Sequence, residues 1–316
     1  MVEWATHCET IDYMKTIANT EQIDKSLLDL DERSNSEIIK TLLASQQQAV
    51  VAVEQASAAI DEAVTQAAEQ LLGGDGRIIL AGAGASGRLA VQDGAELWPT
   101  YGWPHERLLL CMAGGPDALL ASVEGVEDNE QAAIEQVHSL KVGPEDVVLA
   151  LAASGQSAWT CAWLEASKNQ GAMTIGMANN PDTRLLKIAR YPIYLNSGLE
   201  VLAGSTRMAA GTAQKIALNT FSTLLMLRMH RTFGNLMVDM AAVNSKLDQR
   251  RVRMLRTVLP DIGEPAAREA LSESEGWVKL AILNALGDKP EQGKARLFSH
   301  KGSLRMAMRE RREQEE

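Results

Sequence analysis

The sequence predicts an α/β fold, a doubly wound parallel five-stranded sheet with flanking N-terminal and C-terminal helices. Two observations and a packing rule carry this. Five short apolar runs alternate with helical patterns between residues 77 and 195. Four of the runs end in small-residue or turn segments, GAGASG, AGGPD, ASGQSA and ANNPD. Short buried strands separated by helices pair in parallel and are covered on both faces.

The elements follow in order. Residues 1–34 are polar and without period. From Asn35 the pattern becomes helical: Ile38, Ile39, Leu42 and Leu43, then Val50, Val51 and Val53, recur at helix spacing, with Asn35 or Ser36 as cap. Gly73-Gly74-Asp75-Gly76 stops this helix. The strands are placed at Arg77–Ala81, Leu108–Met112, Asp146–Ala152, Met173–Met177 and Tyr191–Leu195. RIILAGAGASGRLA and VVLALAASGQSAWT share a strand, a serine-bearing loop and a helix start, as an internal duplication would. A long helix runs from 211 to 233, its Leu and Met stripe serving core and subunit packing. Residues 241–316 are helical and charged, and the mixed-sign tail RMAMRERREQEE is a solvated helix end. The chain divides into an N-terminal segment and helix (1–69), a ligand-binding α/β domain (70–240) and a C-terminal helical segment (241–316).

Composition narrows the function. With 316 residues and 46% hydrophobic content the chain can build a substantial core. A net charge of −10 gives the wrong long-range field for nucleic acid. A small anion must then be held by local groups such as helix N-termini. Cys8, Cys111 and Cys161 form no CxxC pair, which fits a reducing cytosol. The five histidines are scattered without metal-ligand spacing, so neither metal nor cofactor is expected. No run reaches the ~18 apolar residues that span a bilayer, and the N-terminus has no apolar signal core. The sequence reads as cytoplasmic, without a membrane partner.

Gly82-Ala83-Gly84-Ala85-Ser86-Gly87 satisfies G-x-G-x-x-G. A dinucleotide site also needs an acid at the end of the second strand, and that strand runs into Cys111-Met112-Ala113-Gly114-Gly115, with no acid until Asp117. A phosphate site fits better. Gly84, Ala85, Ser86 and Gly87 offer backbone N–H groups, a helix dipole and a hydroxyl. Ser154, Gly155, Gln156 and Ser157 repeat the device. Two such loops at strand C-terminal ends converge on one phosphate, or each serine caps its own helix.

The stretches GAGASGRL with AELWPTYG, MAGGPDALLASVEGVEDN, DVVLALAASGQS, LEVLAGSTRMAAGTAQK and FGNLMVDMAAVNSKL resemble the N-acetylmuramic acid 6-phosphate etherases in order and spacing from about residue 20 to 250. The resemblance implies the sugar isomerase (SIS) fold, within a superfamily that includes the glucokinase regulatory proteins. It implies a sugar-phosphate substrate and cleavage of a D-lactyl ether by elimination and then water addition, in amino-sugar recycling; the homodimer is expected separately, because the helix at 211–233 and the N-terminal helix offer more apolar surface than one small sheet can cover. It places the catalytic acid on Glu96 and the base at carbon 2 on Glu127. Leu97, Trp98 and Pro99 would give Glu96 an apolar setting that favours its protonated form. Glu200 corresponds to a sugar-contacting acid and Ser205, Thr206 and Arg207 to its neighbouring loop. Asn180, at a strand end, shapes a turn or a site.

The chain also departs from the family. Ala85 and Ala203 replace threonines, Gln156 an arginine, Ala209 a lysine and Asp24 an asparagine, while Leu97 and Trp98 alter E-C-P-P-T. A hydrogen bond to a charged group contributes roughly 1.5–3 kcal/mol, so these changes predict altered substrate contacts around a retained carboxylate pair. A non-catalytic sugar-phosphate regulator and an aldose–ketose isomerase are the alternatives on the same fold. The regulator needs the serine loops without an acid–base pair; the isomerase needs a base near carbon 2.

Overall fold

A computed structural model describes residues 18–241 and 245–314. Cys8 and His7 lie outside the described residues. The chain forms two compact units, one of Met1–Ala63, Ile78–Gln92 and Leu109–Thr220, the other of Val64–Arg77, Asp93–Leu108 and Phe221–Glu316.

The strands are β1 (Ile78–Gly82), β2 (Leu108–Met112), β3 (Val147–Leu151), β4 (Met173–Ala178) and β5 (Tyr191–Tyr194), in the order β2-β1-β3-β4-β5. β1, β3, β4 and β5 pair in parallel, with Gly82 opposite Leu151 where β1 and β3 end. The observed strands fall within a residue or so of the expected ones. Before the sheet come α1 (Asn35–Gln55) and α2 (Ser57–Leu72); between strands come α3 (Gly84–Ala95), α4 (Leu97–Tyr101), α5 (Asp117–Leu120), α6 (Glu130–Ser139), α7 (Ala158–Asn169) and α8 (Arg184–Ile188).

Strand alternation sends Ile79, Ala81, Val148 and Ala150 to one face, where they meet Ala133 and Val137 of α6 and Trp159, Ala162 and Trp163 of α7. Ile78, Leu80, Val147 and Leu149 point the other way and are equally buried. This is why the strands read as unbroken apolar runs. Right-handed crossovers from β1 toward β2 and from β3 toward β4 run in opposite directions, so α3 and α7 take opposite faces. The strand order therefore reverses between β1 and β3, which opens a crevice at their C-terminal ends.

Two helix limits differ from expectation. The continuous helix expected over 35–72 breaks at Ala56, and its cap is Ser34: the Ser34 side chain accepts from the Glu37 N–H while Glu37 accepts from the Ser34 N–H. The helix expected over 211–233 is α9 (Ala209–Arg228). It ends at His230, whose φ is +58°, with Arg231 N donating to Met226 O at 2.9 Å. This is a Schellman close with histidine where glycine usually stands.

The second unit holds α10 (Ser245–Val258), α11 (Glu264–Glu273), α12 (Val278–Ala285), α13 (Pro290–Ser299) and α14 (Leu304–Glu313). Their apolar faces meet on Leu255, Leu271, Ile282, Leu297 and Ala307. Two buried polar groups are fully engaged. Lys279 donates to Asp239 and to His230 O at 2.7 Å. Asp288 holds Arg296 at 3.0 Å and Arg311 at 2.8 Å.

Candidate active site

The loop after β1 turns tightly into α3. Gly84 adopts φ +52°, and a Cβ on Gly87 would stand 2.6 Å from Gly82 O, so only glycine lets the helix approach the strand end this closely. The first turn of α3 carries Ala85 and the buried Ser86, and its N–H groups have no partner within the helix. Arg88, one turn on, donates to the carbonyls of Ala118 and Ala121 at 3.0 and 3.1 Å and closes the segment after β2.

The loop after β3 is tied to itself. Ser154 Oγ accepts from Gln156 N at 3.1 Å. Gly155 takes φ +67°, with Thr183 packed against its Cα. Ser157 caps α7, its Oγ accepting from Thr160 N at 3.4 Å. Gln156 is exposed.

Glu127 joins the two loops. It sits in the 3-10 turn Val126–Asp128 rather than at the start of a long helix. Its Oε1 lies 2.6 Å from where a Cβ of Gly84 would be, and its carbonyl accepts from Ser157 Oγ at 3.5 Å. Gly84, Glu127 and Ser157 thus meet at the crevice between β1 and β3, with the carboxylate at the start of α3.

Glu96 stands at the junction of α3 and α4 without a side-chain cap hydrogen bond, its N–H donating back to Asp93 O at 3.2 Å. Its expected apolar setting is not found among the described residues: Glu96 is exposed, Leu97 turns inward, and the Trp98 ring lies 4.6 Å from that of His105. Successive helical residues point about 100° apart, so sequence neighbours of Glu96 do not wall it.

A third loop precedes α9. Glu200 is buried, and its two carboxylate oxygens accept from the N–H groups of Ala209 and Ala210 at 3.0 and 2.9 Å. It therefore satisfies the helix start and complements its dipole. Ser205 and Thr206 are half-buried and Arg207 is exposed.

Sequence reasoning missed the tie between these loops. Asn180, which it left between a turn and a site, is buried and donates to Thr20 Oγ1 at 3.0 Å and Ala153 O at 3.1 Å, while accepting from Thr20 N at 3.2 Å. Thr20 O in turn accepts from Gly204 N at 2.9 Å, and the Glu21 carboxylate lies against Gly204. No local pattern links residues so far apart in the chain. Cys161 is buried, and desolvation pushes its thiol up to about 11, which removes it as a nucleophile near neutral pH.

Residues 55–165 match the glucokinase regulatory protein N-terminal SIS domain, and residues 121–225 match the SIS domain. The chain is 41% identical over 292 residues to the N-acetylmuramic acid 6-phosphate etherase of Deinococcus radiodurans, covering 92% of this chain and 95% of that one. It is 37% identical over 294 residues to the protein of that name from Rubrobacter xylanophilus, with 93% and 96% covered. For that from Salmonella agona the values are 39% over 282 residues, with 89% and 94% covered.

Proposed function

The chain belongs to the N-acetylmuramic acid 6-phosphate etherase family, and we propose that it is a carbon–oxygen lyase that converts N-acetylmuramic acid 6-phosphate to N-acetylglucosamine 6-phosphate and D-lactate. The observation that carries this beyond the likeness is the meeting of Glu127 with both serine loops at the sheet's switch point. The segment 70–240 is read as the sugar-phosphate-binding domain. The phosphate is held by the first-turn N–H groups of α3 and α7 with Ser86, Ser154 and Ser157. Glu200 supports the third loop, whose Ser205, Thr206 and Arg207 face the sugar.

Ring opening exposes an aldehyde at carbon 1 and acidifies the hydrogen on carbon 2. The Glu127 carboxylate takes that proton. The electron pair forms the carbon 2–carbon 3 double bond, and the bond from carbon 3 to the lactyl oxygen breaks as Glu96 gives that oxygen its proton. Water then adds across the double bond: Glu96, now a carboxylate, takes a proton from the water as its oxygen joins carbon 3, and Glu127 returns a proton to carbon 2. Each carboxyl group ends as it began.

The protein is further read as a cytoplasmic homodimer. Ile39, Leu43 and Val50 expose apolar surface along α1, which a second copy would cover. No helix among the described residues is long and apolar enough to cross a membrane.

The test is lactate release from N-acetylmuramic acid 6-phosphate in deuterated water. Glu96→Gln is expected to stop lactate release while deuterium still enters at carbon 2. Glu127→Gln is expected to lose both. The reverse pattern would exchange the two roles, and a wild type that releases no lactate would overturn the activity itself. Sedimentation giving the mass of a single chain would overturn the dimer.

A further inference from the structure

The second unit contains a cavity of about 1270 Å³, larger than the roughly 300–1,000 Å³ of common small-molecule sites. It uses none of the residues assigned to the lyase reaction. Its walls carry Arg107, Arg231, Arg251, Lys279, Lys294 and Lys301 against the acids Asp75, Asp239 and Glu275. In a chain of net charge −10, this local surplus of basic groups runs against the overall balance.

Its cations are unevenly answered. Lys279 and Arg231 share Asp239. Arg107 stacks on Trp103 at 4.7 Å and donates to the carbonyls of Gly76 and Leu71 at 2.9 and 3.1 Å, with no carboxylate at ion-pair distance among the described residues. Arg251 packs against Gly276, its Nε is buried without a hydrogen-bond partner, and it pairs only loosely with the exposed Asp248, at 3.7 Å. Burial lowers the pKa of both guanidinium groups, the mark of charge held without full compensation. Lys294 and Lys301 are exposed on the rim with no acidic partner among the described residues. Arg107 and Arg251 are half-buried, and positive charge drawn partly out of water with little counter-charge beside it favours an incoming anion. Trp98, Trp277 and Phe298 add rings to the same walls, with Phe298 88% exposed and the two tryptophans 37% and 38% exposed.

Surplus positive charge beside accessible rings matches a flat base joined to several phosphates, since rings take a base by stacking and cations take phosphate. We propose that this cavity is a second ligand site that takes a nucleoside di- or triphosphate.

The experiment is calorimetric titration of the full-length protein with ATP, AMP and inorganic tripolyphosphate at about 0.15 M salt. ATP is expected to bind one per chain with a Kd of about 10–100 µM, and AMP and tripolyphosphate each at least tenfold more weakly. The double variant Lys294→Gln, Lys301→Gln alters only exposed side chains. It is expected to weaken ATP about tenfold or more while keeping the wild-type rate of lactate release without nucleotide. Three results would each overturn the proposal: no heat with about 5 mM ATP, affinity undiminished in the double variant, or tripolyphosphate binding as tightly as ATP.

Discussion

Gly84 and Gly155 both hold left-handed backbone, at φ +52° and +67°, yet alanine should harm them differently. At Gly155 the new methyl meets Thr183, with Oγ1, Cβ and Cγ2 at 2.3, 2.5 and 2.6 Å. Thr183 is buried and caps α8, so it cannot step aside. Strain and overpacking together should cost Gly155→Ala about 2–4 kcal/mol and lower Tm by ~5 °C or more. At Gly84 the methyl meets only the tip of the Glu127 side chain, which can swing away. Gly84→Ala should therefore cost only the backbone strain of about 1–2 kcal/mol, lowering Tm by ~2–5 °C, but cut kcat/KM for lactate release at least ~10-fold, because the proposed base is displaced. Calorimetric melting with a lactate assay separates the two, and a fully active Gly84→Ala would remove Glu127 from its assigned place. The loop glycines and serines were legible because they stand in short motifs, whereas Glu127 was singled out only through the family resemblance. The tie through Thr20 and Asn180 was not legible, since those two residues are joined across 160 positions. The setting of Glu96 was misread because sequence adjacency says little about which side chains face one another on a helix.

Among elements, the strands were the most legible. β1, β3 and β4 are buried along their whole lengths, so each appears as an apolar run closed by a turn signal. The cap of α1 was also available, because Ser34 and Glu37 spell the S-x-x-E capping pattern. The end of α9 was hidden by His230, an uncommon occupant of a left-handed closing position. That histidine carries a pH prediction. Its pKa lies below 6.5, first because burial disfavours the imidazolium, then because Lys279 and Lys301 repel it. The unfolded chain therefore binds a proton at His230 more readily than the folded one. Its contribution to stability is complete above the unfolded value and is lost as pH falls through the folded one. Denaturant unfolding between about pH 5 and 7 should show stability rising with pH, and His230→Asn should flatten that slope. Asparagine tolerates the backbone conformation and leaves the carbonyl that accepts from Lys279 intact. An unchanged slope would show that other groups set it.

For the whole molecule the governing quantity is charge. The chain carries −10 and the proposed substrate bears a phosphate and a carboxylate, so the long-range field opposes their encounter. The local groups do little to reverse this in the proposed reading, which assigns the carboxylates Glu96 and Glu127 to the reaction and sets Glu200 behind the third loop, while the resemblance puts Gln156 and Ala209 at positions of family cations. Binding must rest on short-range donors, the helix N–H groups and serine hydroxyls, whose hydrogen bonds salt screens only weakly. Raising ionic strength from about 10 mM to 150 mM shortens the screening length from ~30 Å to ~8 Å. It should then remove repulsion without removing attraction. We predict that kcat/KM for lactate release rises about 2–3-fold over that range, with kcat unchanged. Gln156→Arg should lower KM at low salt and weaken or invert the slope, because it places a cation on the exposed β3–α7 loop. A wild-type kcat/KM that falls with salt would mean that cations, Arg207 foremost, already dominate the approach, and that other groups stand in for the family's arginine and lysine.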